Sequence, residues 1–194
     1  RRERIGRAAE RPYVPVSASR LAAGSAPAAA AALGGRGGRD FGSLVHRLLE
    51  WIPFDEPGPD LDERVRNMAT AIAPAFGLDT EAARGAAEQV ARTLGLPVLE
   101  RARRAERVWR EMSLWFPDGE HLVEGKVDLV FEDDGQLVVV DYKSDAITDD
   151  QAVAQAAHHA PQLQLYGRGL AQALGRPVRE RLVLFTALAR TVPV

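Results

Sequence analysis

One hairpin limits what this chain can fold into more than any other stretch. Residues 124–145 read EGKVDLVFEDDGQLVVVDYKSD. Val127, Leu129 and Phe131 alternate with Lys126, Asp128 and Val130, the period-two signature of a half-buried strand. Leu137 to Val140 form a short apolar run that ends in Asp141-Tyr142-Lys143. Between the two strands, Asp134-Gly135 is a preferred pair for a two-residue type I′ turn. That turn pairs Asp133 with Gln136, and the same register carries Asp128 opposite Asp141, with side chains on one face roughly 5 Å apart at Cβ. A three-residue loop would shift the pairing by one position and part the two acids. Asp141 and Lys143, two apart on a strand, face together whichever turn forms, while Tyr142 faces away. A lone D-x-K is usually an ordinary solvated strand edge. Here it closes a strongly apolar strand and has a second acid at pairing distance. Two such carboxylates repel, a cost that a structural sheet avoids and a divalent cation removes.

The rest of the composition sets outer bounds. A chain of 194 residues suits one domain with its own core. With 46% hydrophobic and 27% charged residues it reads as an ordinary globular protein, with no apolar run long enough to span a bilayer. No signal-peptide pattern opens it, and cysteine is absent, which is compatible with a cytoplasmic location. The lack of cysteine excludes thiolate zinc sites, cysteine-ligated iron–sulfur clusters and cysteine nucleophiles. A net charge of −2 lacks the basicity of a free-standing nucleic-acid binder. The chain starts at Arg1 rather than Met, so the expectation is a piece excised from something longer.

Residues 1–39 are Arg-, Ala- and Gly-rich and read as a flexible, linker-like N-terminal segment, with Ser17 able to cap a short helix. From residue 40 to 194 the pattern is that of one folded domain. Phe41, Leu44, Val45, Leu48, Leu49 and Ile52 follow helical spacing, and Pro53 ends that helix. The segment 55–60, DEPGPD, reads as a loop. Residues 61–110 read as two or three helices with breaks near Pro74-Gly77 and Gly95-Pro97. The last, over about 97–109, holds Arg101, Arg103, Arg104 and Arg107, which suit a solvated face or, alternatively, a grip on phosphates. Residues 111–117 read as the first strand, followed by the hairpin. Thr148-Asp149-Asp150-Gln151 is a capping box, and Pro161 either interrupts the helix it opens or starts a second one that stops at Gly175. Residues 181–187 read as a buried strand. Helices, three antiparallel strands, a helix and a final strand make an α/β sheet flanked by helices.

On the first helix, His46 lies just off the apolar stripe, and Glu50 shares its face. A neutral imidazole there could complete a metal site with the two aspartates. Gly42-Ser43, one turn earlier, leaves room for another element to approach. Near the C-terminus, Gln162 and Tyr166 are also four apart and either pack the helix or contact a phosphate, sugar or base. His158 and His159 read as a helix terminus rather than a ligand pair.

Taken in order, these residues resemble a known family. Gly42-Ser43-Leu44-Val45-His46 with Glu50 comes first, then Gly125-Lys126-Val127-Asp128, then Val140-Asp141-Tyr142-Lys143-Ser144, then Gln162 with Tyr166. This order, over about residues 40–186, is similar to the PD-(D/E)XK nuclease domain at the C-terminus of RecB and AddA, helicase–nuclease subunits that process DNA double-strand ends. The resemblance implies a restriction-endonuclease-like core, a mixed central sheet flanked by helices. It implies that His46, Asp128, Asp141 and the backbone carbonyl of Tyr142 ligate Mg²⁺, with Mn²⁺ as a substitute. Lys143 would orient or activate the attacking water, and Gln162 and Tyr166 would belong to the family's QxxxY motif beside the active site. Glu111 resembles an acid found just ahead of the first strand in relatives. The implied partners are DNA, in single strands, helicase motor domains in the same polypeptide and a second helicase–nuclease subunit, with no membrane. The chain departs from the family in having His159 where relatives have an aromatic residue, and Ser144 where Thr is commoner. The readings that compete with a helicase-linked nuclease are a catalytically inactive nuclease fold serving DNA binding or subunit contact, and a stand-alone nuclease.

Overall fold

Asp134 and Gly135 both take positive φ, 51° and 75°, as the two central residues of a type I′ turn must. The computed structural model describes residues 13–24, 36–53, 58 and 60–194. In it the turn joins strands β3 (His121–Asp133) and β4 (Gln136–Lys143), paired from Asp133↔Gln136 to Leu129↔Val140. One step further along this register Asp128 would meet Asp141, but the ladder ends at Leu129↔Val140.

The other strands are β1 (Val14–Ser17), β2 (Val108–Asp118), β5 (Val178–Phe185) and β6 (Arg190–Pro193). β2 runs antiparallel to β3 over its whole length, from Asp118↔His121 to Val108↔Phe131. The opposite edge of β3 is shared. β1 pairs in parallel with residues 121–124, and β4 pairs with residues 129–133. Between them, residues 125–128 have no strand partner on that side among the described residues, and the sheet is split there. β5 continues the sheet parallel to β4, and β6 closes it antiparallel to β5. The sheet is therefore mixed, with β1 and β6 in addition to the strands read from sequence.

Each face of the sheet carries its own helical layer. On one lie α2 (Arg36–Trp51), α3 (Leu61–Ile72), α4 (Thr80–Leu94) and α5 (Pro97–Arg104), with a 3-10 turn at Ala73–Phe76. Leu44, Leu48, Val65, Val90 and Leu99 pack there against Leu129, Phe131, Val140 and Leu184. On the other lie α1 (Ala18–Ala23) and α6 (Ala152–Leu174), where Ala156, Leu163 and Leu170 meet Phe116, Val127, Val139 and Phe185. Val127 and Leu129 share parity yet serve opposite cores, so the alternation of β3 reverses at Asp128. It reverses in β2 at the matching place: Met112 and Leu114 point to one core, whereas Arg110 reaches the carbonyls of Leu49 and Ile52 on the other face. Glu111 stands between them with φ 51°, a left-handed conformation that costs a side-chain-bearing residue on the order of 1–2 kcal/mol.

Several local readings change with tertiary context. Of the stretch read as linker-like, residues 14–23 form β1 and α1, and Ser17 Oγ accepts from the Arg20 N–H at 3.3 Å as the helix cap. The DEPGPD segment lies mostly outside the described residues. α5 stops at Arg104 because Ala105 is extended, so β2 starts at Val108 and Glu111 lies inside the strand rather than ahead of it. α6 runs unbroken through Pro161 and ends on Gly175 at φ 66°. Burial of Ala152 and Ala156 before the proline, and of Leu163, Tyr166 and Leu170 after it, outweighs the ~3 kcal/mol a helical proline costs. His158 and His159 thus lie within a helix, not at its end. Arg101 donates to Asp133 and Glu180, so this member of the basic run ties strands together.

Candidate active site

The split in β3 needs something to occupy it, and α6 supplies part. Gln162 Nε2 donates to the Tyr166 hydroxyl at 2.8 Å, and the Lys126 backbone N–H lies against the same oxygen. Tyr166 can come this close because residue 125 is glycine. A Cβ there would sit 2.4 Å from a Tyr166 ring carbon. Gly42 serves α2 the same way, since a Cβ would stand 2.5 Å from Ser144 Oγ at the end of β4. That approach brings His46, one turn later, edge-on to the buried Tyr142 ring at 5.8 Å.

The cleft so formed, of about 410 Å³, is lined by His46, Lys126, Asp128, Asp141, Lys143, Gln162 and Tyr166, and on its rim by Ser17–Ser19. Three acids stand in one row, Asp128 and Asp141 on the cleft and Glu111 beside them. Asp128 is one residue beyond the last β3–β4 pair, Leu129↔Val140, and falls level with Glu111 between the β2–β3 pairs Arg110↔Leu129 and Met112↔Val127. Asp128 accepts from the Tyr142 backbone N–H at 2.6 Å. His46 Nδ1 lies 3.4 Å from Asp128 and 3.8 Å from Glu111. A lysine holds each end of the row: Lys126 Nζ is 2.6 Å from Glu111 Oε2, and Lys143 Nζ is 2.6 Å from Asp141 Oδ2.

Burial competes with charged neighbours to set the protonation of this row. It pushes the Asp128 carboxyl up against the pull of His46, and the charge of Asp141 adds to the rise. Burial also pushes Glu111 up, but His46 and Lys126 outweigh it and hold that carboxyl low. For His46 burial works against the charged form, yet Asp128 and Glu111 prevail and raise the imidazole to about 10. Lys143 resists its own burial through Asp141 and stays an ammonium. Burial, with Lys143 nearby, lowers His159 to about 4 and keeps it neutral.

The donor set fits a hard divalent cation. His46, Glu111 and Asp128 each offer a ligand atom, and these atoms lie within 4.8 Å of one another. Glu111 Oε1 is buried without a hydrogen bond, spare acceptor capacity of the kind a cation would use. Asp141 lines the same cleft but is engaged by Lys143. Tyr142 meets the site through its N–H and ring. Glu50 is turned to Arg47, at 2.6 Å, and stays outside the cluster.

Glu111 takes a more central place than its sequence position suggests, and a signal for this was present. Treating Gly119-Glu120 as a two-residue turn pairs Asp118 with His121, as observed, with Gly119 at φ 61°. The same register arithmetic then sets Glu111 opposite Asp128.

Residues 20–191 match the family model of the PD-(D/E)XK nuclease superfamily. An ATP-dependent helicase/nuclease subunit of Alkaliphilus oremlandii (strain OhILAs) is 25% identical over 153 residues, covering 72% of this chain and 13% of the relative. The protein of the same name from Desulforamulus reducens is 26% identical over 156 residues, covering 73% of this chain and 12% of the relative. That from Carboxydothermus hydrogenoformans is 29% identical over 119 residues, 55% of this chain and 10% of the relative. The chain thus spans about an eighth of the length of these curated relatives. Among the described residues, no helix is long and apolar enough to cross a membrane.

Proposed function

This chain belongs to the PD-(D/E)XK nuclease superfamily, and from that premise we propose that it hydrolyses phosphodiester bonds of DNA with the help of Mg²⁺ or Mn²⁺. The observation that carries the reading is the row of Glu111, Asp128 and Asp141, buried together across three strands with His46 above and one lysine at each end. A structural sheet gains nothing from such a row.

His46, Glu111 and Asp128 would hold the ion, with Asp141 and the Tyr142 carbonyl completing the set that the family resemblance implies. Bound there, a divalent cation supplies charge neutralisation at the phosphate and a more acidic water. Lys143 acts as a positive charge that orients or activates the attacking water, with Asp141 favouring its ammonium form. Its ammonium, anchored on Asp141, draws the phosphate and orients water beside the row. Gln162 and Tyr166 position these groups by closing the split in β3 rather than by reacting.

The substrate is a single strand. A cleft of about 410 Å³ has the size of a small-ligand pocket and suits one strand better than a duplex. The net charge of −2 gives little unaided capture of DNA, which fits delivery by helicase motor domains of the same polypeptide, working with a second helicase–nuclease protein. The nuclease unit then comprises residues 40–194 together with β1 and α1, whose Ser17–Ser19 line the cleft.

Labelled single-stranded DNA with Mg²⁺ or Mn²⁺ tests this, using the wild type beside Asp141→Ala and Lys143→Ala. Metal-dependent cleavage lost in both variants is the expected result. A wild type inactive both alone and within the longer polypeptide would leave the fold as a binding or subunit-contact module. Cleavage that survives both substitutions would discard the assigned site.

A further inference from the structure

β2 carries an aromatic residue that the fold leaves uncovered. Leu114 and Phe116 are buried beneath α6, whereas Ser113, Trp115 and Pro117 alternate with them on the exposed side. Trp115 keeps 54% of its surface in solvent. The β2–β3 register sets it directly opposite Glu124 and sets Ser113 opposite Lys126. All four residues line the same cleft as Asp128, Asp141 and Lys143. Trp115 lies four residues along β2 from Glu111, roughly 13 Å from the acid row at the rise of a strand.

An indole left open beside a polar cleft offers a flat apolar face, and its neighbours decide what can lie on it. Glu124 is exposed and faces it across the ladder, so a phosphate at that spot meets a carboxylate. A nucleobase meets instead a stacking surface and, at its edge, an acceptor for an exocyclic amino N–H. The cations sit further along, at Lys126 and Lys143, beside the acid row. Phosphate is therefore favoured at one end of the cleft and base at the other.

We propose that Trp115 is a stacking platform for a nucleobase flanking the scissile phosphate, with Glu124 as the acceptor at that base's edge. The inference rests on the nuclease reading, but its main readout is binding rather than cleavage.

Intrinsic fluorescence is followed while short single-stranded oligonucleotides are added in EDTA, for the wild type, Trp115→Phe, Trp115→Ala and Glu124→Ala. Wild-type emission should be quenched, and Trp115→Phe should lose most of the quench while keeping most of the affinity. Trp115→Ala should weaken binding roughly 5- to 150-fold, the equivalent of one base–aromatic stack. Oligo-dC should outcompete oligo-dT on the wild type, and Glu124→Ala should erase that preference. With metal, a substrate series carrying one abasic site at a time should show one sensitive flanking position in the wild type and none in Trp115→Ala. An unchanged quench in Trp115→Phe, or wild-type affinity in Trp115→Ala, would overturn the proposal. Quenching by Trp115 without cleavage under any metal, in this chain alone and within the longer polypeptide, would instead sustain the base site and sink the nuclease reading.

Discussion

Two charge clusters share this sheet, and they are built to opposite ends. Near the hairpin tip, Arg101 donates through Nε to Asp133 at 3.1 Å and through Nη1 and Nη2 to Glu180 at 3.0 and 2.7 Å, with its guanidinium over the Phe131 ring. One planar cation there satisfies two half-exposed acids. In the split of β3, three acids are more deeply buried, the lysines reach only the ends of the row, and a single imidazole faces its middle. Asp128 in the middle has His46 at 3.4 Å, and Glu111 Oε1 has no hydrogen bond. Acids and bases alone therefore do not separate a site from a brace. Nor does one spare acceptor at depth, since Glu132 Oε2 near the hairpin tip also lacks a hydrogen bond. The convergence of ligand atoms of His46, Glu111 and Asp128 within 4.8 Å does, because packing acids together costs stability that a cation returns.

Removing one charge from each cluster should split activity from stability. Asp128→Ala should lower cleavage by ~10²–10³-fold or more, as losing a preorganised electrostatic group does. Its metal-free thermal midpoint should move little, because relief from burying that carboxylate beside Asp141 offsets the lost contacts to His46 and the Tyr142 N–H. Arg101→Ala should do the reverse, costing on the order of 1 kcal/mol of stability with the rate per folded molecule unchanged. Cleavage assays beside thermal melts in EDTA decide this, and a rate loss in Arg101→Ala comparable to that of Asp128→Ala would erase the distinction.

The next effect in size lies in the packing that opens the cleft. Gly125→Ala drives a methyl into the Tyr166 ring and should cost about 1–3 kcal/mol while also depressing cleavage. Tyr166→Ala alone vacates the same space, so the double variant should be less destabilised than the two single variants summed. Additive losses in denaturant melts would show that the two residues do not meet. Added Mn²⁺ should then raise the melting temperature of the wild type and of Arg101→Ala but not of Glu111→Gln or Asp128→Ala. The gain should approach ~2.7 kcal/mol at a concentration one hundred times the dissociation constant. Equal stabilisation of all four would move the cation elsewhere.

Much of the site was legible because its strands are joined by short turns. Asp134-Gly135 fixes the β3–β4 register that leads up to Asp128 and Asp141, and Gly119-Glu120 fixes the β2–β3 register that sets Glu111 level with Asp128. Where partners are remote, local signals fail. β1 is four residues with a proline, and its partner begins at His121, so nothing nearby marks it as a strand. Arg101 looked like one basic residue among several because its acids lie on β3 and β5. The reversal of both strands at Glu111 and Asp128 is invisible to periodicity, since it rests on a glutamate in a left-handed conformation that the surrounding packing imposes.

The smallest effect, and the one that probes the contrast most finely, is the dependence of stability on pH. Arg101 stays charged throughout the accessible range, so its cluster contributes no slope of its own near neutrality. His46 does titrate. Its folded-state pKa is raised from 6.5 to about 10, so it binds its proton more tightly in the folded chain than in the unfolded one. Its contribution is therefore fully present below pH 6.5 and is lost as the pH rises through about 10. Without metal, the wild type should lose melting temperature across that window, and His46→Gln should flatten the loss while Arg101→Ala retains it. Mn²⁺ needs the imidazole neutral, so its binding must expel the same proton, and its affinity should rise with pH over the same range. A His46→Gln variant with the wild-type slope would show that the imidazole does not share its proton with Asp128 and Glu111, and the row would then resemble the brace more than a site.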